Sequence, residues 1–249
     1  MMNTTPRSLD LIHQELLGQL TDIIKVCSVH RIPYAMMCGS LLGTVRHQGF
    51  IPWDDDIDLI MTREAYERFA AVYTKECDER YLLSHTNTWT PRVMSKDPLV
   101  ADAFTDLFIM DYLPEGALAR RVRLTLLRFI QGMLKKNVDY SRFSLPQKLA
   151  LIITHVLGLP FSVEQKTAWY ESLSKRTRQG RETHMSNGAF GLLSMTWDPK
   201  LFDDLTEAPF EHLTVLIPRD YHTVLVKLFG PDYMTPPPVH ERVVKHLDL

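Results

Sequence analysis

The sequence predicts an α+β protein: a mixed sheet flanked by helices, with a mainly helical second lobe. A long helical pattern near the N-terminus is followed by short apolar stretches between turn residues, which are typical of strands. Helical spacing then dominates residues 117–179. The chain has 249 residues and 45% hydrophobic content, which is enough to bury a substantial core.

The first predicted element is an amphipathic helix from Ser8 to Arg31, because its apolar residues recur at every third or fourth position and Pro33 stops the pattern. Short apolar or alternating stretches then predict strands at Tyr34 to Cys38, Asp56 to Ile60, Tyr81 to Leu83, Arg92 to Lys96 and Ala103 to Asp111. Between the second and third of these strands, Thr62 is placed to cap a helix from Arg63 to Lys75.

Three further helices are expected after these strands: Ala117 to Lys136, Leu149 to Phe161, and Ser162 to Gln179 with Ser162 as its cap. The second is apolar but too short to span a bilayer, so we expect a buried helix. A strand from Phe210 to Ile217 is expected to return to the sheet before a helix from Tyr221 to Phe229. The predicted organisation is a core (1–113), a mainly helical lobe (114–207) and a C-terminal strand and helix returning to the core (208–249).

The stretch from Gly39 to Met61 carries most of the chemical signal. At Gly39 the missing Cβ lets the backbone approach a ligand, and Ser40 is expected to cap a helix that begins at Leu41. The N–H groups and the positive dipole end of a helix start can hold a phosphate. Arg46 and His47 follow about two turns later.

Asp56 and Asp58 alternate with apolar residues, so strand periodicity places both carboxylates on one face. Neighbouring carboxylates need a neutralising partner, and oxygen ligands suit Mg²⁺ or Mn²⁺ rather than zinc. The alternative is that Trp53 to Asp56 forms a solvated acidic turn before an ordinary edge strand. Asp106 opens a later apolar strand and is the natural third carboxylate, whereas Asp111 is expected to order the following loop.

Composition limits the partners of this chain. A net charge of −2 argues against general nucleic-acid binding, and three cysteines without CxxC spacing fit a reducing cytoplasm. Neither a signal peptide nor a membrane-spanning segment is expected.

The segment from Ala117 to Lys136 is basic and has no acidic residue, which leaves two interpretations: a peripheral contact with the inner face of an anionic membrane, or a lobe helix with a solvated basic face. Arg92 and Lys96 could reach a phosphate, but solvated side chains are the favoured interpretation.

The string LLGTVRHQGFIPWDDDID, which ends at Asp58, resembles the LicD family of the nucleotidyltransferase superfamily. This family includes bacterial phosphocholine transferases and fukutin-type ribitol-phosphate transferases. Asp106 to Asp111 is similar to the family's DIFPLD strand, and Phe229 to Pro238 is similar to its YGDYM-x-PP segment, with Arg242 and His246 after it. The chain departs from these patterns at Ile109, Met110 and Pro231.

The resemblance implies a nucleotidyltransferase-like core and a metal-dependent transferase. Such an enzyme would move a phosphoalcohol, with phosphocholine as first candidate, from a CDP-alcohol donor to a sugar hydroxyl of a glycan or lipid-linked glycan, as found in lipopolysaccharide, teichoic acid or capsule. The catalytic and metal-binding residues would be Asp56, Asp58 and Asp106, holding Mg²⁺ or Mn²⁺. The substrate-binding residues would be Gly39, Ser40, Arg46, His47, Trp53, Asp54, Asp55, Arg242 and His246.

Two alternatives stay open. The first is another nucleotidyltransferase-fold enzyme that transfers NMP to a small molecule or a protein. The second is a non-catalytic module that uses the acidic pocket only to bind a nucleotide. The presence of all three acids argues against the second.

Overall fold

A computed structural model describes residues 9–84, 89–135, 144–189 and 191–244 and has the predicted α+β class. Its helices are α1 Leu9–His30, α2 Cys38–His47, α3 Arg63–Glu76, α4 Ala117–Leu134, α5 Leu145–Gly158, α6 Val163–Ser174 and α7 Tyr221–Phe229. Its strands are β1 Ala35–Met36, β2 Ile57–Thr62, β3 Tyr81–Ser84, β4 Arg92–Ser95, β5 Phe104–Tyr112, β6 Thr183–Met185, β7 Thr196–Trp197, β8 Leu205–Phe210 and β9 Leu213–Pro218.

The chain divides into two compact units, one formed by residues 1–84, 92–108 and 200–249 and the other by residues 85–91 and 109–199. In the first unit, the strand order is β1-β2-β5-β4-β3. Helix α1 is tied to this sheet by Gln19, whose side chain donates to the Ala103 carbonyl and accepts from the Thr105 hydroxyl, both at 3.0 Å. The boundaries at residues 113 and 207 stay a prediction.

In the second unit, the last residues of β5 pair antiparallel with β6, and β6 pairs antiparallel with β7. Helices α4, α5 and α6 pack together, and the core they surround includes Leu127, Leu134, Tyr170 and Leu193. Asp111 at the end of β5 is buried and accepts a hydrogen bond from the Ser186 hydroxyl at 2.5 Å.

Local sequence signals located several elements well. The Thr62 hydroxyl caps α3 by accepting from the Ala65 N–H, and the Ser162 hydroxyl caps α6 by accepting from the Gln165 N–H.

The expectation that the strand from Phe210 to Ile217 returns to the main sheet is wrong. The chain turns at Glu211, where φ is 54°, and β8 and β9 form a separate two-stranded sheet instead of joining the main one.

The expectation that Leu149 to Phe161 forms a buried helix is also wrong. Helix α5 spans Leu145–Gly158, and most of its large aliphatic side chains are exposed. Leu151, Thr154 and Gly158 are its buried residues. Among the helices of the described ranges, none is long and apolar enough to cross a membrane.

Candidate functional site

Three buried carboxylates meet where β2 and β5 lie side by side. Asp56 precedes β2, Asp58 lies in β2 and Asp106 lies in β5, and each residue is at most 9% exposed. Each offers one oxygen within 4.8 Å of the others, a spacing that a single metal ion could bridge. These three residues are called the acidic site below. The periodicity argument therefore placed Asp56 and Asp58 together correctly, and the predicted third acid lies beside them.

Asp58 is held by the start of α2. Its backbone N–H donates to the Ser40 hydroxyl at 2.8 Å, and its Oδ2 accepts from the Gly39 N–H at 3.1 Å. The prediction that Ser40 caps a helix beginning at Leu41 is wrong, because α2 begins at Cys38 and its N-cap Met37 makes no side-chain hydrogen bond. Ser40 instead joins the helix to β2, and the Gly39 N–H holds a carboxylate. A phosphate contact at either residue stays a prediction.

Position 39 requires a glycine because the Asp54 side chain approaches the backbone closely there. A Cβ at this position would lie 2.5 Å from Asp54 Oδ2, which is far inside van der Waals contact. Asp54 is in turn fixed from α1, because His13 Nε2 donates to its backbone carbonyl at 2.8 Å. Asp54, Asp55 and Asp56 form a second group of carboxylates whose oxygens also lie within 4.8 Å of one another.

The acidic site is electrostatically unfavourable by itself. Burial, followed by the negative charges of Asp56, Asp106 and Asp54, raises the pKa of Asp58 well above its usual value, and the Gly39 N–H opposes this shift. A cation reverses the balance by stabilising all of these carboxylates in their charged form. Since the donors are oxygens only, the site fits Mg²⁺ or Mn²⁺ in its chemistry.

Arg92 contacts the carboxylate of Asp106, and the sequence did not reveal this contact. Antiparallel pairing of β4 with β5 places Arg92 opposite Asp106. Its Nε lies 2.5 Å from Asp106 Oδ1 and its Nη2 lies 3.2 Å from Oδ2, while its Cζ lies 3.8 Å from the centre of the Phe104 ring. A fork of two hydrogen bonds fixes both the position and the orientation of a carboxylate. The favoured interpretation of Arg92 as a solvated side chain is therefore wrong.

Four residues of the same unit form a basic cluster: Arg46, His47, Trp53 and Arg242. Arg46 Nη1 donates to the Tyr233 carbonyl at 2.9 Å, and the His47 and Trp53 rings meet edge to face at 6.4 Å. Arg242 places its Cζ 5.0 Å from the Trp53 ring centre. The cluster joins the C-terminal motif to the stretch from Gly39 to Met61.

The charges of the basic cluster repel one another. Burial and the Arg242 charge lower the pKa of Arg46, and burial and the Arg46 charge lower the pKa of His47. An anion placed between these groups would relieve the repulsion, which is the arrangement expected of a phosphate subsite. His246, the remaining predicted contact, lies outside the described residues.

Two further residues, His13 and Glu211, contact the stretch from Gly39 to Met61, and the sequence had assigned neither of them to the site. The ring of His13 stacks on Phe50 with 4.0 Å between centroids, and Glu211 Oε1 accepts from the Phe50 N–H at 3.1 Å. Both contacts depend on segments far apart in the chain, so a local motif could not reveal them. Lys96 donates to the exposed Glu79 carbonyl at 2.8 Å.

Known proteins resemble this chain in the region of the acidic site. Residues 31–104 match the LicD/FKTN/FKRP nucleotidyltransferase domain, and this match includes Asp56 and Asp58 and ends two residues before Asp106. The chain is 28% identical over 243 residues to the lipopolysaccharide cholinephosphotransferase LicD of Haemophilus influenzae, with 89% of each chain covered.

Shorter matches are found in two uncharacterized rickettsial proteins. The protein of Rickettsia typhi is 31% identical over 70 residues, which are 28% of this chain and 23% of the relative. The protein of Rickettsia prowazekii is 42% identical over 45 residues, which are 18% of this chain and 17% of the relative. The motif resemblance is thus confirmed by matches at domain and chain length: residues 31–104 are similar to the LicD/FKTN/FKRP nucleotidyltransferase domain, and 89% of the chain is similar to a LicD cholinephosphotransferase.

Proposed function

We propose that this protein is a metal-dependent transferase that moves a phosphoalcohol, phosphocholine first among the candidates, from a CDP-alcohol to a sugar hydroxyl of a cell-surface glycan. The observation that carries the proposal is the acidic site, in which three buried carboxylate oxygens lie within 4.8 Å. The cholinephosphotransferase that matches this chain over 89% of its length supports the choice of transferred group and of a glycan acceptor.

Asp56, Asp58 and Asp106 would hold Mg²⁺ or Mn²⁺. When bound, such an ion neutralises a diphosphate and stabilises the charge of an in-line phosphoryl transfer. Gly39 and Ser40 would keep the Asp58 carboxylate in position through their hydrogen bonds to it and to its backbone. Arg92 would orient Asp106 through its two hydrogen bonds.

Arg46 and Arg242 would bind the negative charge of the donor diphosphate. Each guanidinium can donate two parallel hydrogen bonds to phosphate oxygens. His47 lies next to Arg46, with the Arg46 Nε 3.4 Å from its Nδ1, and would add a third polar contact. Trp53 already packs beneath Arg242, so we assign it to holding that guanidinium in place rather than to stacking on a base.

In the proposed reaction, the acceptor hydroxyl oxygen attacks the phosphorus that carries the alcohol. A new P–O bond forms to the sugar, and the bond between this phosphorus and the bridging oxygen breaks, so CMP leaves with that oxygen. The hydroxyl proton passes to a nearby carboxylate, for which Asp54 and Asp55 are candidates beside the metal ligands. The products are a sugar phosphodiester, CMP and one proton.

The test is to incubate the protein with CDP-choline, CDP-ethanolamine, CDP-glycerol and CDP-ribitol, with Mg²⁺ or with EDTA, and to measure free CMP. Hydrolysis of the donor in the absence of an acceptor serves as the readout. CMP release that needs Mg²⁺ supports the proposal. Pyrophosphate release from CTP or ATP, with labelling of an acceptor by NMP, would support NMP transfer instead. Nucleotide binding without turnover of any donor would point to the non-catalytic module.

A further inference from the structure

Helix α5 of the second unit presents its large aliphatic side chains to solvent. Six of them are between 46% and 72% exposed: Leu145, Leu149, Ile152, Ile153, Val156 and Leu157. They recur at helical spacing and lie on one side of the helix, opposite its buried residues. A continuous apolar face of this size on a folded protein is typical of a binding surface.

The outward orientation of this face is fixed by close packing on the other side. A Cβ at Gly132 of α4 would lie 2.3 Å from the Thr154 hydroxyl oxygen, and a Cβ at Gly158 would lie 2.8 Å from the Met133 Cβ. The two helices therefore approach each other through small residues, and rotating α5 inward would force bulky side chains into the space that Thr154 and Gly158 now occupy. The aliphatic face is therefore exposed because packing against α4 fixes the orientation of α5.

A second apolar stripe lies on α4. Leu118, Val122, Leu126 and Phe129 are exposed and follow one another at intervals of three or four residues. An exposed aromatic pair follows α5, in which Phe161 and Trp169 meet edge to face with 4.8 Å between ring centroids. Aromatic side chains of this kind are enriched at the boundary between water and the bilayer.

The charged side chains on the two helices that carry these apolar residues have one sign. Neither α4 nor α5 contains Asp or Glu, whereas α4 has four arginines and α5 has Lys148. Arg120 pairs with Glu182, and Arg123 is buried and donates to the Thr177 hydroxyl. Arg121 is exposed and Arg128 partly exposed beside the α4 stripe. Acidic residues do occur nearby, with Glu115 before α4 and Glu164 in α6.

We propose that the exposed face of α5, with the stripe of α4, docks on the surface of an anionic phospholipid bilayer. Acyl chains would cover the aliphatic side chains, and anionic headgroups would pair with the exposed Arg121. A second copy of this chain suits the face poorly, because a two-fold interface would place like charges together. A 14-residue helix is too short to span a bilayer but can lie in its interface. This proposal does not depend on the transfer reaction.

Vesicle sedimentation with the full chain tests the proposal. The unmodified protein should sediment with vesicles of phosphatidylcholine and phosphatidylglycerol, and less with phosphatidylcholine alone. The double variant Ile153→Gln, Val156→Gln should lower the partition coefficient at least about tenfold, since two aliphatic side chains would no longer enter the bilayer. Arg121→Gln should lower binding to anionic vesicles about fivefold and reduce its dependence on salt.

The matched control is Val29→Gln, Leu99→Gln, because these apolar residues of the other unit are 68% and 70% exposed. Binding by the control pair should equal that of the unmodified protein, and circular dichroism should give all variants the same melting temperature. The proposal is overturned if the unmodified protein does not bind anionic vesicles. It is also overturned if the control double variant weakens binding as much as the double variant of α5. A dimer in light scattering that the α5 pair dissociates, without vesicle binding, would assign the face to contact between copies instead.

Discussion

The acidic site of the first unit and the exposed face of α5 in the second depart from ordinary burial in opposite directions. One buries three carboxylates, each at most 9% exposed, and the other leaves six large aliphatic side chains at least 46% exposed. Buried charges without a partner reduce the stability of an isolated chain, and a continuous exposed apolar face is uncommon on a protein that has no binding partner. Each departure is the basis of one proposal made above: a divalent cation with a diphosphate in the first case, and a lipid surface in the second.

The largest expected effect is a loss of turnover when the acidic site is changed. Asp58→Asn should lower turnover at least about 100-fold, the usual order for losing one preorganised electrostatic contact to a transition state. The same change should leave the melting temperature in EDTA equal or higher, because asparagine removes the buried charge and the repulsion from neighbouring carboxylates, which together raise the pKa of Asp58. CMP release and thermal melts measure the two effects. Asp203→Asn, at an exposed position, is the control, and near-normal turnover in Asp58→Asn would refute the site.

Arg92→Lys should reduce turnover by about 10- to 100-fold, the range seen when a residue that orients a metal ligand is lost. Lysine keeps the positive charge but not the fork that holds both oxygens of Asp106. The Mg²⁺ concentration for half-maximal rate should rise, while the KM of the donor changes little.

Arg80→Lys is the matched control for this change. Arg80 holds Asp78 by the same two-point geometry, at 3.0 Å and 3.2 Å, but at an exposed position away from the acidic site. If Arg92→Lys and Arg80→Lys behave alike, Arg92 has only a general structural role.

These residues also show what the sequence could and could not predict. Asp58 is the second residue of β2 and Asp56 directly precedes the strand, so the alternation of an extended chain places both on one face. The Thr62 and Ser162 caps follow from local hydrogen bonding in the same way. Arg92 and Asp106 meet only through the register of two strands, and the intervening sequence does not specify that register.

Helix α5 shows a second limit. Its apolar composition predicts burial, because composition describes the side chains without saying which side of the helix faces the core. The orientation depends on Gly132 and Gly158, which allow the close approach of α4 and α5. A glycine within a helix has no distinctive local signal, so this contact becomes apparent only in three dimensions.

A smaller expected effect concerns the buried side of α5. Gly158→Val should lower the free energy of unfolding by about 1 to 3 kcal/mol, because the added side chain must displace Met133 in a closely packed contact. Chemical denaturation measures the change. Gly191→Val is the control, since a Cβ there meets nothing within 4 Å. Equal stability of the two variants would mean that α5 is not held on α4 by this contact, and the outward orientation of its aliphatic face would lose its explanation.

The smallest expected effect concerns the exposed side of the same helix. Leu149 is 53% exposed, so Leu149→Gln should change the free energy of unfolding by less than about 0.5 kcal/mol, as for most surface substitutions. Denaturation in the absence of lipid measures this change against Gly158→Val. A loss of 2 kcal/mol or more, on the order of a core substitution, would show that Leu149 is buried within the protein in solution. The aliphatic face would then contribute to folding, and the contrast with the acidic site would disappear. A near-zero change means that folding does not account for these side chains, which leaves binding as the reason for a leucine at this position.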